Sequence, residues 1–197
     1  MRIFYLYFII IALGITSCKQ RFTPKPKGYL RIDLPPKKDT LFSFNYCPFY
    51  FTTSDYFSVE QKNNCWLDLK YKKHNTTIHL TYKKVDNNLI ELLEESRDMV
   101  YKHTIKADAI NEKTYLNHLN KTYGTMYDIK GPVASSVQFH VTDSLKNFIR
   151  GALYFESNPN PDSLQPVIDY IRYDIIRIME TLQWKNLTSS SESKSAI

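Results

Sequence analysis

Val133-Ala134-Ser135-Ser136-Val137-Gln138-Phe139-His140-Val141-Thr142, the link Asp143-Ser144-Leu145-Lys146, and Asn147-Phe148-Ile149-Arg150-Gly151-Ala152-Leu153-Tyr154-Phe155 decide the fold. Val137, Phe139 and Val141 recur at every second position, the period of a strand with one face in a core. The second run is rich in aromatic and aliphatic residues. The link is short and polar, so the two runs read as paired antiparallel strands, Val133 to Thr142 and Asn147 to Phe155.

Downstream, Asn158-Pro159-Asn160-Pro161 breaks the sheet. Asp162 then reads as the cap of a helix, with Gln165 at its third position and Pro166 tolerated in its first turn. Leu164, Ile168, Ile171, Ile175, Ile178 and Leu182 repeat at steps of four and three, an amphipathic stripe that must be covered. Upstream, Thr122 to Ile129 reads as a strand closed by the turn Lys130-Gly131-Pro132. Ile105 to Leu119 fits either a second helix or an edge strand. Asn88 with Glu91 reads as a capping box. It opens a helix to about Thr104, striped by Leu89, Leu92, Leu93, Met99 and Val100.

Before that helix, four strands are expected. Phe42 to Thr53 is one, Tyr56 to Gln61 a short second, and Thr77 to Val85 the last. In the third, Cys65 to Tyr71, Cys65, Leu67, Leu69 and Tyr71 face one way and Trp66, Asp68 and Lys70 the other. Strands, helix, strands, helix give an α+β class, a mostly antiparallel sheet covered by helices. The outline resembles the PsbP-like α/β/α sandwich.

The N-terminus carries a different signal. Arg2 precedes the apolar run Ile3 to Ile15, which is too short to span a bilayer comfortably and has the build of a secretory signal. Ile15-Thr16-Ser17-Cys18 resembles a bacterial lipobox. That resemblance implies cleavage after Ser17 and lipid on Cys18. Several acyl chains on one residue would anchor the chain stably. The expected organisation is a signal peptide over 1–17, a lipidated basic, Pro-containing linker over 18–41, one α+β domain over 42–186 and a disordered tail over 187–197. Within the linker, Gly28 to Pro35 alternates and reads as a short edge strand.

The chain has 197 residues and a formal net charge of +6. Much of the excess follows the anchor: Lys19, Arg21, Lys25, Lys27, Arg31, Lys37 and Lys38. Such a stretch either meets anionic head groups or is simply solvated. An exported chain does not meet nucleic acid, so that partner is excluded despite the basic pI. Of three cysteines, Cys18 serves the anchor. Cys47 and Cys65 remain, either as a disulfide worth about 3 kcal/mol or as buried thiols on neighbouring strands.

No nucleophile elbow, zinc-protease helix, phosphate loop or dinucleotide fingerprint occurs. Ser135, Ser136, His140 and Asp143 lie close in sequence. However, Ser136 and His140 on one strand would stand too far apart for a hydrogen bond, so they read as ordinary strand residues. His74, His79, His103, His118 and His140 are scattered, without metal-ligand spacing. No catalytic residue, metal site or cofactor is expected. Arg150, mid-strand among apolar residues, would need a carboxylate if buried, with Asp128 or Asp143 within reach of the expected sheet. Asp39-Thr40-Leu41 resembles the short O-glycan acceptor pattern of Bacteroidota, with Thr40 as the accessible copy.

Several blocks together resemble one family. They are the lipobox, Pro26-Lys27-Gly28-Tyr29-Leu30-Arg31-Ile32-Asp33-Leu34-Pro35, Cys65-Trp66-Leu67 and Tyr101-Lys102-His103-Thr104-Ile105-Lys106-Ala107-Asp108. Tyr127-Asp128-Ile129-Lys130-Gly131, Ala134-Ser135-Ser136-Val137-Gln138-Phe139, Thr142-Asp143-Ser144 and Arg150-Gly151-Ala152-Leu153-Tyr154-Phe155 continue the series in order. They are similar to the GldD gliding-motility lipoproteins of Bacteroidota, although Pro132 stands where that family would have Asn. The resemblance implies a non-enzymatic accessory lipoprotein. Its partners would be envelope proteins of gliding and of the linked type IX secretion. The residues after Cys18 lack both an inner-membrane retention Asp and an acidic export cluster, so the expected site is the periplasmic leaflet of the outer membrane. The alternative is a periplasmic carrier with a small-ligand or lipid pocket between sheet and helix.

Overall fold

The computed structural model describes residues 32–156 and 161–185, the side chains of 63 and 161–163 excepted. Cys18, the signal peptide, Gly28 to Arg31, the side chain of Asp162 and the 187–197 tail lie outside the described residues. In chain order the elements are β1 (Asp39–Ser43), β2 (Phe49–Ser54), β3 (Ser58–Lys62), β4 (Trp66–Tyr71), β5 (Thr76–Lys84), α1 (Leu89–Tyr101), β6 (Ala109–Asn117), β7 (Thr122–Lys130), β8 (Val137–Thr142), β9 (Asn147–Phe155), α2 (Pro161–Thr181) and β10 (Gln183–Trp184).

The hairpin read from sequence forms as β8 and β9, with Val137 opposite Leu153, Phe139 opposite Gly151 and Val141 opposite Ile149. It sits inside a seven-stranded antiparallel sheet of order β3-β4-β5-β9-β8-β7-β6. All of β8 is buried, because both faces of the sheet are covered there. One face carries Leu67, Leu69, Ile78, Phe139, Ile149 and Leu153. These pack with Phe49 and Phe51 of the small β1-β2-β10 sheet and with the α2 stripe Ile168, Ile171, Ile175, Ile178 and Leu182. The other face meets α1, through Val100 with Tyr127, Ile129 and Val133, and through Leu92 with Val85 and Phe148. The class is α+β, a mostly antiparallel sheet with a helix on each face.

Several boundaries differ from the sequence reading. Phe42 to Thr53 is two strands, since Cys47 N–H turns back to the Phe44 carbonyl and Pro48 has no N–H for a ladder. The domain begins ahead of residue 42: β1 starts at Asp39, and Ile32 already packs against the core. Ile32 to Pro35 forms no strand. Ile105 to Leu119 resolves to the edge strand β6, paired with β7 alone. β8 begins at Val137, after a tight turn in which Val133 N–H donates to Gly131 C=O across Pro132. Asn88 occupies the N-cap of α1 without a side-chain cap bond; its Oδ1 accepts the Asp86 N–H at 2.9 Å. Helix α2 starts at Pro161, so Asp162 lies inside it and Pro166 falls in the second turn rather than the first.

Candidate functional site

Antiparallel order gathers the starts of β4, β7 and β9 and the ends of β5, β6, β8 and β10 at one pole of the sheet. The connections there hold Asn64, Cys65, Asn87, Lys121 and Ser144 at φ of 60°, 60°, 55°, 50° and 66°. Left-handed conformations of non-glycine residues cost about 1 kcal/mol or more each and persist where their surroundings impose them. Asp143 shows how one is imposed. Its Oδ1 accepts the N–H groups of Leu145, Lys146 and Asn147 at 2.9, 2.7 and 2.9 Å, and its Oδ2 takes Asn147 Nδ2 at 2.6 Å. Burial alone would raise its pKa, but these donors hold the carboxyl below its ordinary value. The turn leaves Leu145 72% exposed.

Between these loops runs an open cleft of about 1570 Å³. Trp66 and Trp184 line it, each fixed through its indole N–H, to the Tyr82 carbonyl at 3.2 Å and the Lys121 carbonyl at 3.1 Å. Tyr46 and Leu119 add apolar surface at 84% and 96% exposure. Lysines 83, 84, 121, 146 and 185 stand around it. Fixed, half-wet aromatics beside polar groups are the usual anchors of protein contacts. The volume is above the range of small-molecule pockets, and the shape is a surface trough. By contrast, the space between the large sheet and α2 is filled by the core, with Ile171, Ile175 and Ile178 fully buried.

Of the residues singled out in the sequence, one pair meets and the others separate. Cys47 and Cys65 come together in bridging geometry at the cleft rim, Cα atoms 5.3 Å apart. Arg150 pairs with neither expected carboxylate. Its Nη2 donates to Gln138 Oε1, and burial lowers its pKa. Asp128 lies on the opposite face of the sheet from Arg150 and pairs with Arg172 of α2 at 2.8 Å, while Asp143 is consumed by its turn. Thr40 is not in a free linker: it sits half-buried on β1 opposite Thr53, and Asp39 beside it pairs with Arg177 at 2.5 Å. Ser136, His140 and Asp143 share no hydrogen bond, and burial holds His140 neutral, its pKa lowered to about 4. Among the described residues, no three His, Cys, Asp or Glu side chains are grouped for a metal ion.

One cluster escaped the sequence reading. Lys37 Nζ pairs with the fully buried Asp174 at 2.7 Å and lies 3.8 Å from the Tyr170 ring centroid. Tyr71 donates to Asp174 Oδ2 at 2.9 Å, and Tyr170 OH donates to the Pro35 carbonyl at 3.0 Å. Tyr170 also meets Tyr56 and His74, the latter in the β4–β5 turn. This cluster therefore seats the incoming chain at the end of the sheet opposite the cleft.

A small α+β domain with a preformed, aromatic-lined surface trough has the build of a binding module. The family model of the gliding motility lipoprotein GldD matches residues 19–184, and the chain belongs to that family. Comparison with proteins of curated function gives no significant match. Among solved structures, the chain is similar to the solution structure of cyanobacterial PsbP from Synechocystis sp. PCC 6803. The identity is 8%, over 77% of this chain and 95% of that one, with a TM-score of 0.45.

Proposed function

We propose that the chain is a lipid-anchored accessory protein of gliding motility and of the linked type IX secretion. It acts by docking other envelope proteins, from the periplasmic face of the outer membrane. Cys18 carries the lipid. The observation that carries the docking reading is the trough itself, which presents two fixed indoles and exposed Tyr46, Leu119 and Leu145. Exposed apolar surface concentrated at one place marks contact with another molecule. Deletion of the gene in its host, complemented with wild type or Cys18→Ala, tests the proposal. Colony spreading and the secreted proteome should both collapse, and only wild type should restore them. Normal spreading and secretion in the deletion strain would refute the role.

A further inference from the structure

We infer that the cleft docks an acidic polypeptide segment bearing apolar anchors, carried by an envelope partner; this rests on the docking function proposed above. Charge makes the first argument. Lys83 is neutralised by Glu95 at 2.7 Å, and Lys185 Nζ donates to the Phe44 carbonyl at 2.7 Å. Lys84, Lys121 and Lys146 are exposed and form no ion pair among the described residues. Of the lining carboxylates, Asp143 is saturated by its own turn and Glu95 by Lys83, which leaves Glu91. The trough thus offers surplus positive charge around an apolar floor, and complementary potential is what selects and steers a partner.

Position makes the second argument. Surplus lysines also suit anionic lipid. Yet the chain enters the domain at the other pole: Pro35 and Lys37 are held by Tyr170 and Asp174, and Asp39 pairs with Ser54 there. β1 then runs toward the cleft, and β2 starts there, with Phe49 opposite Trp184, and returns. The described part of the entering segment, from Ile32 onward, thus lies at the pole opposite the cleft. Shape makes the third argument, because an extended segment can lie along an open trough that is too large for one small ligand.

Both tryptophans of the chain line the cleft, so intrinsic fluorescence reads it directly. The full chain, purified from its host in detergent, would be titrated with a peptide alternating Asp or Glu with Leu and Phe. A second peptide with Lys in place of the acids and vesicles of phosphatidylglycerol would be run alongside. The acidic peptide should shift the emission saturably, and added salt should weaken it. Lys84→Glu/Lys121→Glu/Lys146→Glu, which changes exposed side chains only, should melt like wild type and bind that peptide about tenfold more weakly. Equal response to both peptides, response to the vesicles instead, or unchanged affinity in the triple variant would overturn the inference. In the host, a triple variant that is anchored but fails to restore spreading supports it. A triple variant that restores spreading fully defeats it while leaving the family role intact. A deletion strain that spreads normally defeats the role, and the titration still decides what the cleft binds.

Discussion

Lys37 Nζ lies 2.7 Å from Asp174 Oδ1, which joins the stretch ahead of β1 to the middle of α2. Asp174 is fully buried, and Tyr71 and Lys37 are its polar neighbours. Burial lowers the Lys37 pKa while Asp174 pulls the other way, and burial followed by the Asp174 charge pushes that of Tyr170 up to about 12. Removing one member of a buried pair strands the other charge, at a cost of about 3 kcal/mol or more. Lys37→Met should therefore destabilise the domain by that amount in chemical denaturation. Lys37→Met/Asp174→Asn should recover much of it, since the amide keeps an acceptor for Tyr71 and carries no charge. Equal stability of Lys37→Met and wild type would mean that the pair does not hold the incoming chain.

Gly151 is fixed by its cross-strand neighbour. A Cβ built there would meet Cε1 and Cζ of Phe139 at 2.2 Å, so the Phe139 ring lies directly over the glycine. Gly151→Ala must push that ring out of the centre of the core, and overpacking of this kind costs about 1 to 3 kcal/mol. A lowered melting temperature, partly restored in Gly151→Ala/Phe139→Leu, is expected. An unchanged melt in the single variant would contradict the packing.

The period-2 and period-3.6 patterns are legible because apolar residues repeat on one face, as with Val137, Phe139 and Val141 alternating with Gln138, His140 and Thr142 on β8, or Ile168 through Leu182 on α2. What failed depends on contacts distant in sequence. Arg150 looked in need of a carboxylate, yet Gln138 on the next strand serves it, and Asp128 answers Arg172 on the opposite face. Asp174 interrupts the α2 stripe between Ile171 and Ile178, and a lone acid on an apolar face was the one available sign of the buried pair with Lys37. The cleft had no linear signature, because Tyr46, Trp66, Leu119, Leu145 and Trp184 come from separate loops that antiparallel order brings together.

Cys47 lies in the turn between β1 and β2, and Cys65 directly precedes β4, so a bridge would pin one flank of the cleft. With a sequence separation of 18, closing the loop stabilises by about 3 kcal/mol. The oxidised chain should weigh two hydrogens less than its reduced form. Reduction should lower the unfolding free energy by that amount and change the emission of Trp66. Alkylation of both thiols in the folded, unreduced protein would show them to be free.

His140 makes the domain acid-sensitive. It is 7% exposed, stacked on Phe148 with ring centroids 5.8 Å apart, and burial lowers its pKa from 6.5 to about 4. In the unfolded chain the imidazole takes a proton near its ordinary value, while the folded chain resists until the lower one. The unfolded state therefore binds more protons between the two. The stability His140 contributes is complete above pH 6.5 and is lost as pH falls toward 4, by on the order of 3 kcal/mol. His140→Phe keeps a ring against Phe148 and removes the titration. Unfolding free energy followed from pH 7 to pH 4 should fall less steeply in that variant than in wild type, whatever its absolute stability. Parallel profiles would show that the imidazole takes its proton in the fold at the same pH as in the unfolded chain.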